Sequence, residues 1–132
     1  MESDRLAAIP FFAGLSDEEL AAVAAKATER ELASGETIAQ EGDFGHALFA
    51  IERGTAEVTS GGQTLRVVGP GDVVGEVAVL VSGRRTASVV ATSPMRVIVL
   101  FKRDVWALER EAPQAVERLR ELIGERLEAS SS

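Results

Sequence analysis

The chain has 132 residues, of which 45% are hydrophobic and 27% charged, a balance that indicates one globular domain and argues against general disorder. Its formal net charge of −7 repels phosphate backbones and anionic lipid headgroups, so we expect it to bind neither nucleic acid nor membrane. With no cysteine and a single histidine (His46), the sequence excludes disulfides, thiolate nucleophiles and multi-histidine metal sites.

Residues 1–27 form a helical N-terminal segment. Ser16 and Glu19 have the spacing of a capping box, in which Ser16 caps a helix and Glu19 reaches back to the Ser16 backbone. Alanine-rich sequence with apolar residues at helical spacing follows. The preceding segment Ile9–Phe12 ends a shorter first helix, because proline interrupts it, and we expect its two phenylalanines to insert into the core.

Residues 28–101 are predicted to be β-structure, because glycines recur at close intervals between short apolar runs. Gly61 and Gly62, between Val58 and Leu65, are typical of a hairpin turn. The segment Val97–Phe101 is continuously apolar, which indicates a strand buried on both faces. Many short strands separated by such turns indicate a β-sandwich or a β-barrel.

Residues 102–129 are predicted to form two helices, a short one over Asp104–Arg110 and a longer one with Pro113 in its first turn. The longer helix carries a broad apolar stripe that serves either as core or as a dimer seam. Gly124 weakens its last part, and we expect the serine tail 130–132 to be disordered. We expect Trp106 to pack in the core where helices and β-structure meet, with stacking on a purine as the alternative.

The segment 69–89 combines glycines with acidic and basic side chains. Gly75 allows close approach of backbone to a ligand, and the N–H groups of Val77 and Ala78, at the start of a short helix, can face an anion. Arg85 supplies a forked, permanently charged partner for the same anion, and Thr86 supplies a hydroxyl. The carboxylate of Glu76 only accepts hydrogen bonds, so we expect it to bind a hydroxyl-bearing sugar beside that anion. An anion site beside a hydroxyl site indicates a nucleotide.

These residues resemble the cyclic nucleotide-binding domain family, which includes catabolite activator protein and the regulatory subunits of cyclic-nucleotide-dependent kinases. The segments 74–79 and 84–88 are similar to the two halves of its phosphate-binding cassette, with a spacer of the usual length. The resemblance covers about Ile9 to Leu127 and includes further motifs, namely Phe11-Phe12 with Leu15-Ser16, Gly42-Asp43, Leu48–Ile51, Gly54 and Ala56–Val58. Two positions depart from the family pattern, with Val74 in place of phenylalanine and Arg84 in place of proline.

The resemblance implies an antiparallel jelly-roll barrel with N-terminal helices and two C-terminal helices, forming a single domain over residues 1–129. It implies that Glu76 binds the ribose 2′-hydroxyl, that Arg85 binds the exocyclic phosphate oxygens, and that the amides of Ala78 and Thr86 complete the cradle. Thr86 does not decide between cAMP and cGMP. We therefore predict a ligand site in the cassette 74–88, made of Gly75, Glu76, Val77, Ala78, Arg85, Thr86 and Ala87.

Function follows as an expectation from the same resemblance. The chain would be a cytoplasmic regulatory sensor, not an enzyme, that needs no cofactor or metal and signals binding of a cyclic nucleotide through movement of its C-terminal helices. Its output partner would be a second copy, paired through the last helix, or a separate effector protein. The alternative is a degenerate domain that binds no nucleotide and serves as an assembly module. Arg84 is expected to face solvent or to form an ion pair rather than to contact the ligand directly.

Overall fold

The computed structural model describes residues 1–131 of the chain. Helices flank eight strands. The helical elements are α1 (Ser3–Ala7), a 3₁₀ turn (Pro10–Phe12), α2 (Asp17–Lys26), a π-helical turn (Ala78–Ser82), α3 (Lys102–Glu111) and α4 (Pro113–Ser131). The strands are β1 (Thr28–Leu32), β2 (Thr37–Ala39), β3 (Ala47–Arg53), β4 (Ala56–Ser60), β5 (Gln63–Val68), β6 (Val73–Val74), β7 (Ser88–Ala91) and β8 (Met95–Phe101).

The strands form an antiparallel jelly-roll sandwich. One four-stranded sheet has the order β1-β8-β3-β6 and the other has the order β2-β7-β4-β5. The predicted antiparallel jelly-roll with flanking helices is confirmed, although its two sheets are not closed into a barrel. The edge strands β6 and β2 contain only two and three residues, which leaves them too short to join one sheet to the other.

Residues 97–100 of the central strand β8 confirm the prediction of a strand buried on both faces, whereas Phe101 at its end is 38% exposed. Val97 and Val99 lie in the core between the two sheets, whereas Ile98 and Leu100 lie in a second core between their sheet and the helices. Because strand side chains alternate between faces, the part of a strand that lies between two cores is apolar at every position, as it is over residues 97–100. The hairpin predicted at Gly61 and Gly62 is also present and joins β4 to β5.

The capping box at the start of α2 is only half formed. The Ser16 hydroxyl accepts a hydrogen bond from the Glu19 N–H at 3.1 Å, as predicted. The Glu19 carboxylate does not turn back to Ser16. It accepts bonds from the N–H groups of Gln114 (2.9 Å) and Ala115 (3.3 Å), so that it caps α4 instead.

Two further expectations about the C-terminal helices are corrected. Trp106 is 59% exposed rather than part of the core, because the buried face of α3 carries Val105 and Leu108. The helix α4 continues past Gly124 without interruption and reaches Ser131, so that the first two residues of the expected disordered tail are helical. The last residue of that tail, Ser132, lies outside the described residues.

Candidate functional site

The predicted cassette forms a loop with one π-helical turn between β6 and β7. Gly75 follows β6 directly and has φ +85°, a left-handed conformation that strains any other residue. The helical turn ends at Gly83, which has φ +72° and whose N–H bonds to the Ala78 carbonyl at 2.9 Å. The two glycines therefore open and close the turn, and the chain then enters β7.

The cassette lines a cavity of about 540 Å³, and strands of both sheets contribute the rest of its wall. All of the residues predicted for the ligand site contribute to its wall, namely Gly75, Glu76, Val77, Ala78, Arg85, Thr86 and Ala87. Cavities of this volume are in the range that holds small organic ligands. The structure therefore brings together in one cavity the residues that sequence reasoning selected.

Arg85 is a nearly buried guanidinium at this cavity, with 9% of its surface exposed. Its Nη2 donates to the Ala47 carbonyl at 2.8 Å, and its Nη1 donates to the Gly75 carbonyl at 3.2 Å. Burial lowers the pKa of Arg85, and the charges of Glu76 and Asp43 act in the opposite direction. These contacts hold the guanidinium plane in place while the group keeps further N–H donors for a ligand.

Glu76 is buried even more completely, with 1% of its surface exposed, and it also lines the cavity. A carboxylate removed from water is costly unless charge or hydrogen bonds compensate it. The oppositely charged Arg85 lies at the same cavity, and the charge of Glu76 acts on it. A cavity that carries one buried cation and one buried anion can bind a ligand with an anionic part and a hydroxyl-bearing part.

The cassette is held against a second loop that carries Asp43 and Phe44. The Arg85 N–H donates to the Asp43 carbonyl at 2.7 Å, and the Gly42 N–H donates to the Arg85 carbonyl at 2.9 Å. Arg84 faces solvent, as predicted, and does not line the cavity. Its guanidinium lies over the Phe44 ring, 4.2 Å from the centroid, and donates to the Gly42 carbonyl.

Several residues of the cavity wall were missed by sequence reasoning. On β5, Leu65 and Arg66 both line the cavity. The other missed residues are apolar, namely Ala39, Val58, Val74 and Val89. An apolar residue on a cavity wall has the same type and spacing as a core residue, so no sequence signal distinguishes the two. Arg66 could have been noticed, because a charged residue interrupts the apolar run of β5.

Metal-binding clusters and membrane-spanning helices are both absent from the part of the chain that the structure describes. Among the residues whose side chains the structure describes, no cluster could hold a metal ion. Within the described residues, no helix combines the length and apolar character that a membrane crossing requires.

Comparison with known proteins identifies relatives of this chain. It is 35% identical over 123 residues to the Cyclic AMP receptor protein of Thermus thermophilus, a match that covers 89% of this chain and 57% of that protein. The solved structure of the Thermus thermophilus Catabolite Activator Protein matches with a TM-score of 0.83 and 34% identity, covering 92% of this chain and 60% of that one. The regulatory subunit of a cAMP-independent protein kinase A from Trypanosoma brucei matches with a TM-score of 0.79 and 25% identity, covering 93% and 43%.

The chain therefore spans less than two thirds of the length of these relatives. The model of the cyclic nucleotide-binding domain matches residues 29–111, which run from β1 to the end of α3 and include the whole cassette. Domains of this family are regulatory binding domains rather than catalytic ones. With more than half of its residues matched, the chain belongs to the cyclic nucleotide-binding domain family.

Proposed function

We propose that this domain binds a cyclic nucleotide, cAMP or cGMP, in the cavity beside the cassette and reports its presence as a regulatory sensor without catalysing a reaction. The observation that carries the proposal is the pairing of Arg85 and Glu76, which are 9% and 1% exposed and line the same cavity. Two buried, oppositely charged side chains in one cavity match a ligand that joins an anionic phosphate to a ribose. The similar protein from Thermus thermophilus, which is named as a Cyclic AMP receptor protein, supports the same proposal.

In this proposal Arg85 binds the exocyclic oxygens of the cyclic phosphate, and Glu76 accepts a hydrogen bond from the ribose 2′-hydroxyl. The amides of Ala78 and Thr86 complete the phosphate cradle. Gly75, Val77 and Ala87 complete the wall, with Gly75 allowing the backbone to approach the ligand. Because Arg85 already donates to two carbonyls, its plane is fixed before the ligand arrives. A guanidinium that is already held in place binds its ligand more tightly, because little side-chain entropy remains to be lost on binding.

The test is isothermal titration calorimetry with cAMP and cGMP on the wild type and on Arg85→Lys. Lysine keeps the charge but cannot reproduce the fork, so we expect affinity to fall by about 30-fold or more. Glu76→Gln keeps the shape and one acceptor and should weaken binding less. Thermal denaturation of each variant confirms that it is folded.

Arg84→Lys is the matched control, because Arg84 is the neighbouring residue, undergoes the same chemical change and does not line the cavity. We expect its affinity to equal that of the wild type. If Arg84→Lys weakens binding as much as Arg85→Lys does, the phosphate does not bind at Arg85 and the proposal fails.

A second candidate is a domain that binds no cyclic nucleotide and acts as an assembly module. One observation favours it, since the bonds from Arg85 to the carbonyls of Ala47 and Gly75 already give this side chain a structural purpose. The similar regulatory subunit from Trypanosoma brucei is also described as belonging to a cAMP-independent kinase. In that case calorimetry shows no heat with either nucleotide, while Arg85→Lys still lowers thermal stability.

We further propose that ligand occupancy reaches the C-terminal helices through the π-helical turn. Val79, on this turn, belongs to the same core cluster as Val105 and Leu108 of α3 and Leu119 of α4. Within the described residues, α3 and α4 contribute nothing to the cavity wall, so the ligand must act on them through such packing. The output would then pass to a second copy bound through α4 or to a separate effector. Sedimentation velocity with and without nucleotide distinguishes these two outcomes.

A further inference from the structure

We infer that a surface strip beside the cassette is a docking site for an acidic polypeptide segment of a partner protein. The strip consists of Arg84, Phe44, His46, Lys102 and Trp106. None of these residues lines the nucleotide cavity, so the inference goes beyond the proposed ligand site and does not depend on it.

The five residues of the strip form a continuous chain of contacts. The Arg84 guanidinium lies 4.2 Å from the centroid of the Phe44 ring, and the rings of Phe44 and His46 are 6.5 Å apart. The His46 carbonyl accepts a hydrogen bond from the Lys102 N–H at 2.9 Å. The Lys102 ammonium lies 5.3 Å from the centroid of the Trp106 ring. The strip therefore extends from the cassette to the first turns of α3.

The two large aromatic rings of the strip, Phe44 and Trp106, are mostly exposed to solvent rather than packed in a core. Phe44 is 62% exposed and Trp106 is 59% exposed, whereas the buried residues of α3 are Val105 and Leu108. A cation over each ring positions the ring and adds a cation–π attraction. Exposed aromatic residues with neighbouring arginine are the composition that protein interfaces favour.

The charge of the strip identifies its partner as acidic. Arg84 and Lys102 make it cationic on a chain whose net charge is −7. Lys102 forms no ion pair with any residue in the described range, so its charge remains available to a carboxylate. An acidic segment with apolar side chains can pair its carboxylates with the two cations and cover the two rings. The strip thus complements both parts of such a segment.

Two other occupants fit the strip less well. A twofold dimer would place the same patch of both copies face to face and would bring Arg84 and Lys102 close to their own equivalents, which is repulsive. A nucleic acid requires cations along several phosphates, whereas this strip offers two on a strongly acidic protein. An acidic polypeptide would neither repel the two cations nor require a longer row of them.

The probe for the test is a short synthetic peptide that alternates glutamate with leucine and phenylalanine. Its binding is followed by calorimetry and by the fluorescence of Trp106, which is the only tryptophan of the chain. We expect the peptide to bind and to quench or shift this emission. The same peptide with glutamine in place of glutamate should bind about 2- to 30-fold more weakly, because both ion pairs are lost.

Charge reversal on the protein locates the site. The double variant Arg84→Glu with Lys102→Glu should lower the affinity for the acidic peptide by about tenfold or more. The matched control is Arg30→Glu with Arg53→Glu, which changes the net charge equally at exposed arginines outside the strip. Arg53 lies at the far end of β3, about 20 Å from the strip end of that strand. This control should bind the peptide like the wild type, apart from a small general loss.

Three results would overturn the inference. Equal loss of peptide affinity in the strip variant and the control would show only general charge attraction. Tighter binding of a polyuridine RNA than of the peptide, abolished by the strip variant, would assign the surface to nucleic acid. Concentration-dependent self-association of the wild type that the strip variant abolishes would assign the strip to a second copy.

Discussion

Arg85 packs so closely against Gly75 that no side chain fits at position 75. A Cβ atom added to Gly75 would lie 2.5 Å from Nη1 of Arg85 and 3.2 Å from the Ala47 carbonyl. Ala47 is also the acceptor for Nη2 of Arg85. The glycine, the guanidinium and the end of β3 therefore form one tightly packed unit at the cavity wall, so that a change at Gly75 acts directly on Arg85.

The first prediction concerns Gly75→Ala, compared with Gly83→Ala as its control. Both glycines have positive φ, so each substitution costs about 1 to 2 kcal/mol of backbone strain. Gly83 has open space around its Cβ position, whereas Gly75 does not. We expect both variants to lose stability in urea denaturation, but only Gly75→Ala to lose nucleotide affinity, by about tenfold or more. Equal nucleotide affinities of the two variants would show that Arg85 can move away from the added methyl group without weakening binding.

Much of the fold could be predicted because local patterns determine it. The apolar run of β8, the turn at Gly61 and Gly62 and the cap at Ser16 all depend on residues close in sequence. The second half of the capping box could not be predicted, since the partners of Glu19 lie 95 and 96 residues away along the chain. The Glu19 carboxylate could accept a hydrogen bond from the nearby Ser16 N–H or from the distant N–H groups at the start of α4. Only the packing of α2 against α4 decides which of these donors it meets.

The candidate site was predictable for a related reason. Its charged and glycine residues stand out in a segment that is otherwise apolar, so Gly75, Glu76 and Arg85 attract attention without a structure. The wall opposite the cassette was not predictable, because Val58 and Val89 resemble core residues. The distinction between a closed barrel and two open sheets was also hidden, since it depends on how far β2 and β6 extend at the sheet edges.

A second prediction tests the cap that Glu19 provides for α4. Because Pro113 lacks an N–H, the first free donors of α4 are those of Gln114 and Ala115, and Glu19 accepts both. Glu19→Gln removes the negative charge at this helix end and should lower the free energy of unfolding by about 1 to 2 kcal/mol. Glu18→Gln makes the same change at an exposed site on the same helix and should be close to neutral.

Urea denaturation measures both variants, and amide hydrogen exchange shows where the effect acts. In Glu19→Gln the amides of Gln114 and Ala115 should exchange faster than in the wild type. Equal stability of the Glu18 and Glu19 variants would mean that water replaces the carboxylate at this helix end without cost.

A third prediction concerns Arg66, the cationic residue that β5 contributes to the cavity wall. Guanine offers two acceptors, O6 and N7, to a guanidinium, whereas adenine offers N7 beside an amino donor. If the base extends towards β5, Arg66→Leu should lower the affinity for cGMP more than the affinity for cAMP. The difference expected from a good bidentate pair is about 1 to 3 kcal/mol. Calorimetry with both nucleotides measures it, and an equal loss for the two would place Arg66 away from the base.

The last prediction separates ligand binding from its transmission to the helices. Val79 is 2% exposed and lies in the core cluster that includes Leu108 and Leu119, whereas Val97 is fully buried in the other core, between the sheets. Each valine-to-alanine change removes two methyl groups and creates a small cavity, at a cost of about 2 kcal/mol. Both variants should still bind the nucleotide, because neither residue lines the cavity.

Hydrogen exchange of α3 and α4, with and without saturating cyclic nucleotide, then distinguishes the two variants. In the wild type and in Val97→Ala, nucleotide should change the protection of amides from Val105 to Ile123. In Val79→Ala this change should be smaller, because the packing of the core cluster that includes both the π-helical turn and the helices has been loosened. A full response in Val79→Ala would show that the signal leaves the cassette by another route, such as the loop of Asp43 that is bonded to the Arg85 backbone.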